Sequence, residues 1–181
     1  MKDVVIVDCV RTGLAKSFRG SFNLARSDDM AAHLINSLLE RNPALDPAEV
    51  DDVILGAANQ AGEQSYNLAR MAAILSNLPI GTTGTTVNRF CASGLQTIAM
   101  AANQIASGCS DVMMAGGAES ISMRLRQDQG SFQQNPRLLE EKPAIYMEMG
   151  NTAEVVARRY GVTREAQDAY ALQSQHRYAK A

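Results

Sequence analysis

Short apolar runs without internal alternation, set between helix-patterned segments, constrain this chain more than any other feature. Val4 to Val7, Val53 to Leu55 and the stretch from Asp111 to Ala115 are such runs. A strand with one wet face alternates apolar and polar residues, whereas a strand covered on both faces does not. Val4 to Val7 therefore reads as the first central strand. After a polar loop through Arg19 and Gly20, Ser27 or Asp28 can cap a helix whose Ala31, Leu34, Ile35 and Leu38 share a face, with Asn42 and Pro43 as its stop. Asp46, Pro47 and Glu49 announce a second, short helix, because proline suits the first helical position and acids suit the positive end of the dipole. A third helix carries Leu68, Met71, Ala72 and Leu75.

The same order continues with a strand at Thr85 to Asn88, a helix from about Ala92 to Ser107, and the strand ending at Gly116 and Gly117. Regular alternation of strand and helix predicts a layered α/β domain. From Arg124 to Pro143 the sequence is rich in glutamine and charge and poor in large apolar residues, which reads as an excursion from the sheet. A boundary near Glu119 follows, with a core domain over residues 1–118 and a second region over 119–181. In that region Asn151 and Glu154 have the spacing of a cap and its reciprocal acid, Gly161 ends the helix, and Thr163 caps another with no stop signal before Ala181.

Composition removes several classes of function. With 46% hydrophobic and 20% charged residues in 181, the chain has the makings of a folded globular protein. Lys+Arg 17 against Asp+Glu 19 leaves no basic surplus for nucleic acid. The apolar run after Lys2 and Asp3 is too short for a signal-peptide core, and no stretch approaches the roughly 20 apolar residues of a membrane span. Cys9, Cys91 and Cys109 are odd in number, widely spaced and without a CxxC pair, so neither a disulfide framework nor a zinc site is suggested. A reducing cytoplasm is the expected location.

Cys91 stands where a β-rich run meets a helix whose Leu95, Ile98, Ala99, Ala102 and Ile105 form an apolar stripe. At such a strand-to-helix elbow, free backbone N–H groups and the helix dipole favour thiolate over thiol and can stabilise an oxyanion. Free cysteine is more often a buried small hydrophobe, and position alone favours that reading. Cys9, after an apolar strand, and Cys109, at a helix end, read as inert for the same reason.

A resemblance adds to this. The residues Val87 to Gln96, Val-Asn-Arg-Phe-Cys-Ala-Ser-Gly-Leu-Gln, resemble the active-site signature of thiolases, which cleave or form 3-ketoacyl-CoA. Further stretches resemble the family in the same order: Arg11 and Thr12 with Phe18 to Gly20, Gly116 to Met123, and Met149 to Glu154. Arg164, Glu165, Gln167, Asp168, Ser174 and Gln175 continue the likeness.

The resemblance implies a layered αβαβα thiolase fold built from two similar halves. This chain would supply most of the first half and part of an inserted loop domain. It implies Cys91 as the acyl-carrying nucleophile with its backbone N–H as an oxyanion donor, and Met149 as a wall of the acyl-CoA pocket. Glu148 stands where related enzymes often carry histidine. The implied activity is acetyl-CoA C-acyl transfer in fatty-acid β-oxidation, or the reverse condensation. It uses coenzyme A as substrate, no metal or redox cofactor, and a homodimeric or homotetrameric assembly without nucleic acid or membrane insertion.

Phe90 and Ala92-Ser93 look closer to the degradative type than to the strictly biosynthetic one. The family's catalytic histidine lies in a Gly-His-Pro motif and its second cysteine in a later Cys-x-Gly, and neither motif occurs in these 181 residues. His33 and His176 read as surface or structural residues, Glu119 as a carboxylate bonding backbone groups at a strand end, and Arg124 and Arg126 as solvated loop arginines. Two rivals stand beside this reading. One is another condensing enzyme of the superfamily, such as a ketoacyl synthase or hydroxymethylglutaryl-CoA synthase. The other is a non-catalytic acyl-CoA-binding or assembly subunit.

Overall fold

The structure, a computed structural model, describes residues 2–122 and 133–181. It divides into two compact units, Met1–Gln129 and Gly130–Ala181. Glu119, at the sequence-based boundary, makes its hydrogen bonds within the first unit.

The first unit is a parallel sheet covered by helices. In chain order it contains α1 (Ser27–Arg41), β1 (Val50–Gly56), α2 (Leu68–Leu75), β2 (Thr83–Val87), α3 (Ser93–Ser107) and β3 (Val112–Gly117), with 3-10 turns at Pro47–Glu49 and Gly62–Gln64. The strand order is β2-β1-β3, and both pairings are parallel. Alternation along β1 sends Val53 and Leu55 to one face and Ile54 to the other. Val53 and Leu55 join α1 and α2 in a core with Ile35, Leu39 and Leu68. On the opposite face Gly56 lies under α3, where a Cβ would come within 2.7 Å of Ser93. Val53, Ile54 and Leu68 are all 0% exposed. Each such side chain contributes roughly 1.5–3 kcal/mol by burial, so stability concentrates in β1 and the helices packed on it.

Local chemistry explains most boundaries. Asp46 accepts from the Ala48 N–H at 2.9 Å, and Asn67 accepts from the Arg70 N–H at 3.4 Å to open α2. Neither Ser27 nor Asp28 caps α1: the N-cap position is Arg26, with no side-chain capping bond. The Ser27 N–H donates to Glu63 instead, and Asp28 pairs with Arg26 at 2.7 Å.

Two sequence expectations about which residues the sheet covers are corrected here. Val4 to Val7 is not a strand: these residues carry no ladder, and Val5, Ile6 and Val7 are 75–79% exposed. Backbone pairing makes a strand, and the described residues offer this run no partner along its length. Among the described residues the segment is fastened near its ends. The Lys2 N–H donates to the Ala106 carbonyl, Lys2 pairs with Asp111, and Asp8 takes a two-pronged contact from Arg41.

The second correction concerns α3. Its sheet-facing residues are the small Ser93, Thr97 and Ala101, while Leu95 and Ile98 of the expected stripe are exposed. Close approach to Gly56 selects a small residue at Ser93, and Thr97 bonds the Gly116 carbonyl, so the large apolar residues are left outside.

Hydrogen bonds from Arg41 hold the Asp8 carboxyl down to about 2, with the Cys9 N–H and Asn42 adding to the effect. A carboxyl lowered on folding contributes stability that is present above its ordinary value and lost as pH falls through the folded value. Arg41→Ala is therefore expected to return Asp8 to the ordinary carboxylate range, as read by NMR titration of its carboxyl carbon. An unmoved titration would show that the pair does not form.

The second unit contains α4 (Pro136–Glu141), α5 (Met149–Tyr160) and α6 (Arg164–Lys180). Asn135 caps α4 through the Arg137 and Leu138 N–H groups, and Thr163 caps α6 through the Ala166 N–H. Gly161, at φ +64°, terminates α5 as expected. Asn151 is not a cap: α5 starts two residues earlier, with Glu148 at the N-cap position. Arg124, Arg126 and Met123 lie outside the described residues.

Candidate active site

Parallel pairing brings the carboxyl ends of all three strands to one edge. Gly56 stands opposite Val87 on one side and Gly117 on the other. The segments leaving β1, β2 and β3 thus start side by side, the arrangement in which open α/β sheets bind ligands. A Cβ at Gly117 would lie 2.7 Å from the Gly56 carbonyl oxygen, so only glycine admits this spacing.

A cleft of about 850 Å³ opens there, lined among others by Arg11, Phe22, Phe90, Cys91, Gly117 and Glu119. The opening loop, the cysteine signature and the glycine-rich strand end, far apart in sequence, therefore share one cleft. Cys9, Cys109 and the two histidines do not line it. His33 is exposed on α1 and His176 on α6. Met149 is the first residue of α5 in the second unit and is 74% exposed.

Cys91 is exposed, one residue before the N-cap of α3. That N-cap is Ala92, which has no side-chain oxygen to bond the first-turn N–H groups. The positive end of the helix therefore opens beside the thiol without a competing cap. Cys9 and Cys109 are exposed as well, so the expectation of buried thiols does not hold for either. The run that was to bury Cys9 is itself uncovered, and Cys109 follows a Gly108 that ends α3 at the surface.

The elbow has its own bracing. Phe90 adopts φ +46°, a left-handed conformation that is an outlier for a bulky residue. Ser93 Oγ accepts from the Arg89 N–H at 2.9 Å and donates to the Phe90 carbonyl at 2.6 Å. Asn88 Oδ1 accepts from the Phe90 N–H at 2.8 Å, while its Nδ2 donates to the Ala58 carbonyl at 3.0 Å. Thr97 Oγ1 lies 2.9 Å from the Gly116 carbonyl and ties α3 to β3.

Glu119 does what the sequence reading gave it. It accepts from the Ala58 N–H at 2.7 Å, the Asn59 N–H at 3.3 Å and Gln64 Nε2 at 3.0 Å. Gln64 is fully buried and also bonds the Ser120 N–H and the Asn59 carbonyl. Sequence reasoning missed Asn88, Ser93 and Gln64. For Asn88 a signal existed, since an Asn two residues before a turn commonly bonds the backbone ahead of it.

Comparison with known proteins gives a consistent set of relatives. The family model described as "Thiolase, N-terminal domain" matches residues 4–181. A "3-ketoacyl-CoA thiolase" of Marinobacter nauticus is 42% identical over 178 residues, covering 98% of this chain and 45% of the relative. Its namesake in Bacillus subtilis is 43% identical over 181 residues, covering 100% and 46%. A "3-oxoadipyl-CoA/3-oxo-5,6-dehydrosuberyl-CoA thiolase" of Escherichia coli is 40% identical over 196 residues, covering 100% and 49%. The chain spans about half the length of the curated relatives it matches.

Proposed function

This chain belongs to the thiolase family, as its amino-terminal portion, and on that premise we propose that it supplies the nucleophilic half of an enzyme that cleaves 3-ketoacyl-CoA thiolytically. The observation that carries the reading is Cys91, exposed in the cleft at the uncapped amino end of α3. Its thiolate attacks the 3-keto carbon and the C2–C3 bond breaks. The electron pair stays on C2, which takes up a proton, and acetyl-CoA leaves. The acyl group remains on Cys91 as a thioester until CoA sulfur attacks it and releases an acyl-CoA shortened by two carbons. Developing negative charge on the carbonyl oxygen meets the Cys91 N–H. Met149 is proposed as a wall of the acyl-CoA pocket. The proton-transfer groups, a histidine and a second cysteine, are proposed to come from the family's other half.

Trapping tests this. The complete enzyme, mixed with radiolabelled acetyl-CoA, acid-quenched and digested, should carry label on the Cys91 peptide in a bond that hydroxylamine cleaves. Label on Cys9 or Cys109 instead, or on none, would remove the assignment.

A soluble cytoplasmic homodimer or homotetramer completes the proposal. The three cysteines are all free, and among the described residues no helix is long and apolar enough to cross a membrane. Sedimentation of the complete enzyme as a monomer at working concentration would refute the association.

A further inference from the structure

The left-handed Phe90 is held from two sides, and only one of them involves its neighbours in the helix. On the helix side Ser93 fixes the Arg89 N–H and the Phe90 carbonyl. On the other side the Phe90 N–H is taken by Asn88 Oδ1, and Asn88 in turn hangs from the Ala58 carbonyl through Nδ2. Only one orientation of the Asn88 amide satisfies both contacts, oxygen toward the N–H and nitrogen toward the carbonyl. The 57–59 segment is no loose anchor. The Ala57 N–H donates to the Val87 carbonyl at 3.0 Å, and the Ala58 and Asn59 N–H groups end on the Glu119 carboxylate. A continuous path of bonds therefore runs from the end of β3, through the segment after β1, to the residue that precedes Cys91.

A bulky residue stays in the left-handed region only when its surroundings over-determine it. Release of the Phe90 N–H would let φ relax, and rotation there re-aims the next residue, which is Cys91. Near-attack geometry tolerates little of this, since a displacement of about 1 Å can cost about 100-fold in rate.

We propose that Asn88 is a positioning residue for Cys91, setting the thiol's direction by accepting the Phe90 N–H, with Glu119 holding the segment on which Asn88 is braced. The inference rests on the thiolase reading above. It assigns Asn88 no contact with substrate.

The test uses the complete enzyme and compares Asn88→Ala with Asn88→Asp. Aspartate keeps an acceptor for the Phe90 N–H and loses the donor to Ala58. Three quantities are read: the single-turnover rate of Cys91 acylation by acetoacetyl-CoA, KM, and the rate of Cys91 alkylation by iodoacetamide, a small probe with no need of substrate alignment. Asn88→Ala is expected to slow acylation by about 100-fold while KM and alkylation change by less than about threefold. Asn88→Asp is expected to recover acylation to within about tenfold of the unmodified enzyme.

Acylation by Asn88→Ala at the unmodified rate overturns the inference. So does an Asn88→Asp variant no better than Asn88→Ala, or a loss shared equally by acylation, KM and alkylation. If Asn88→Ala does not fold, Asn88→Asp decides by itself, with acylation within about tenfold in support and a loss of about 100-fold against. An unmodified enzyme that is not acylated on Cys91 overturns the thiolase reading itself, whereas normal acylation with indifferent Asn88 variants overturns only the role of Asn88.

Discussion

Cys91→Ala in the complete enzyme is expected to lower thiolysis of acetoacetyl-CoA by at least about 10⁴-fold, because removing a nucleophile removes the covalent path and not merely one contact. Cys9→Ala and Cys109→Ala are expected to stay within about twofold of the unmodified enzyme, as surface substitutions generally do. Exposure does not make this distinction, since all three thiols are exposed. The cleft does: Cys91 lines it together with Phe90, Gly117 and Glu119, and the other two cysteines do not. Thiolysis is followed by the loss of acetoacetyl-CoA absorbance, with circular dichroism confirming that each variant is folded. A folded Cys91→Ala enzyme retaining more than about a hundredth of the activity would end the case for Cys91 as nucleophile.

How much of this was legible in the sequence depended on whether the deciding contact was local. Strand and helix order, the cap at Thr163 and the stop at Gly161 were legible because each rests on residues a few positions apart. The Val4 to Val7 run misled, since apolar content says that a segment seeks cover and not that a partner strand lies beside it. The stripe on α3 misled in a related way. Leu95 and Ile98 are at helical spacing, yet the buried face of α3 is Ser93, Thr97 and Ala101, and the small size of Ser93 only matters once Gly56 is beneath it.

At the site, the placement of Cys91 just before a helix was readable from the sequence, whereas that of Gln64 was not. Its buried amide joins Asn59, Glu119 and Ser120, residues brought together by parallel pairing of β1 and β3 and not by the sequence around Gln64. Glu119 was readable only by kind: a carboxylate after two glycines at a strand end was expected to bond backbone groups. Which groups it meets is a matter of the fold.

The 181-residue chain made alone is expected to show no thiolysis above a Cys91→Ala chain, even with its cysteine intact. The proposed acyl transfer needs a thiolate, an oxyanion donor, a base to maintain the thiolate and an acid to protonate the leaving carbanion, and groups that act as a unit lose nearly everything when one is absent. The cleft offers Cys91 and the amino end of α3, but among the described residues no histidine and no second cysteine lines it. His33 and His176 are exposed on their helices, and Glu119 is engaged by two backbone N–H groups and Gln64. The chain alone also exposes Val5, Ile6, Val7 and Leu95, so self-association is expected and the assay belongs on the fraction shown to be folded and unaggregated. Turnover well above the Cys91→Ala control in that fraction would mean that the acid and base lie within these residues. Glu119, which alone among these three candidates lines the cleft, would then be the first to substitute.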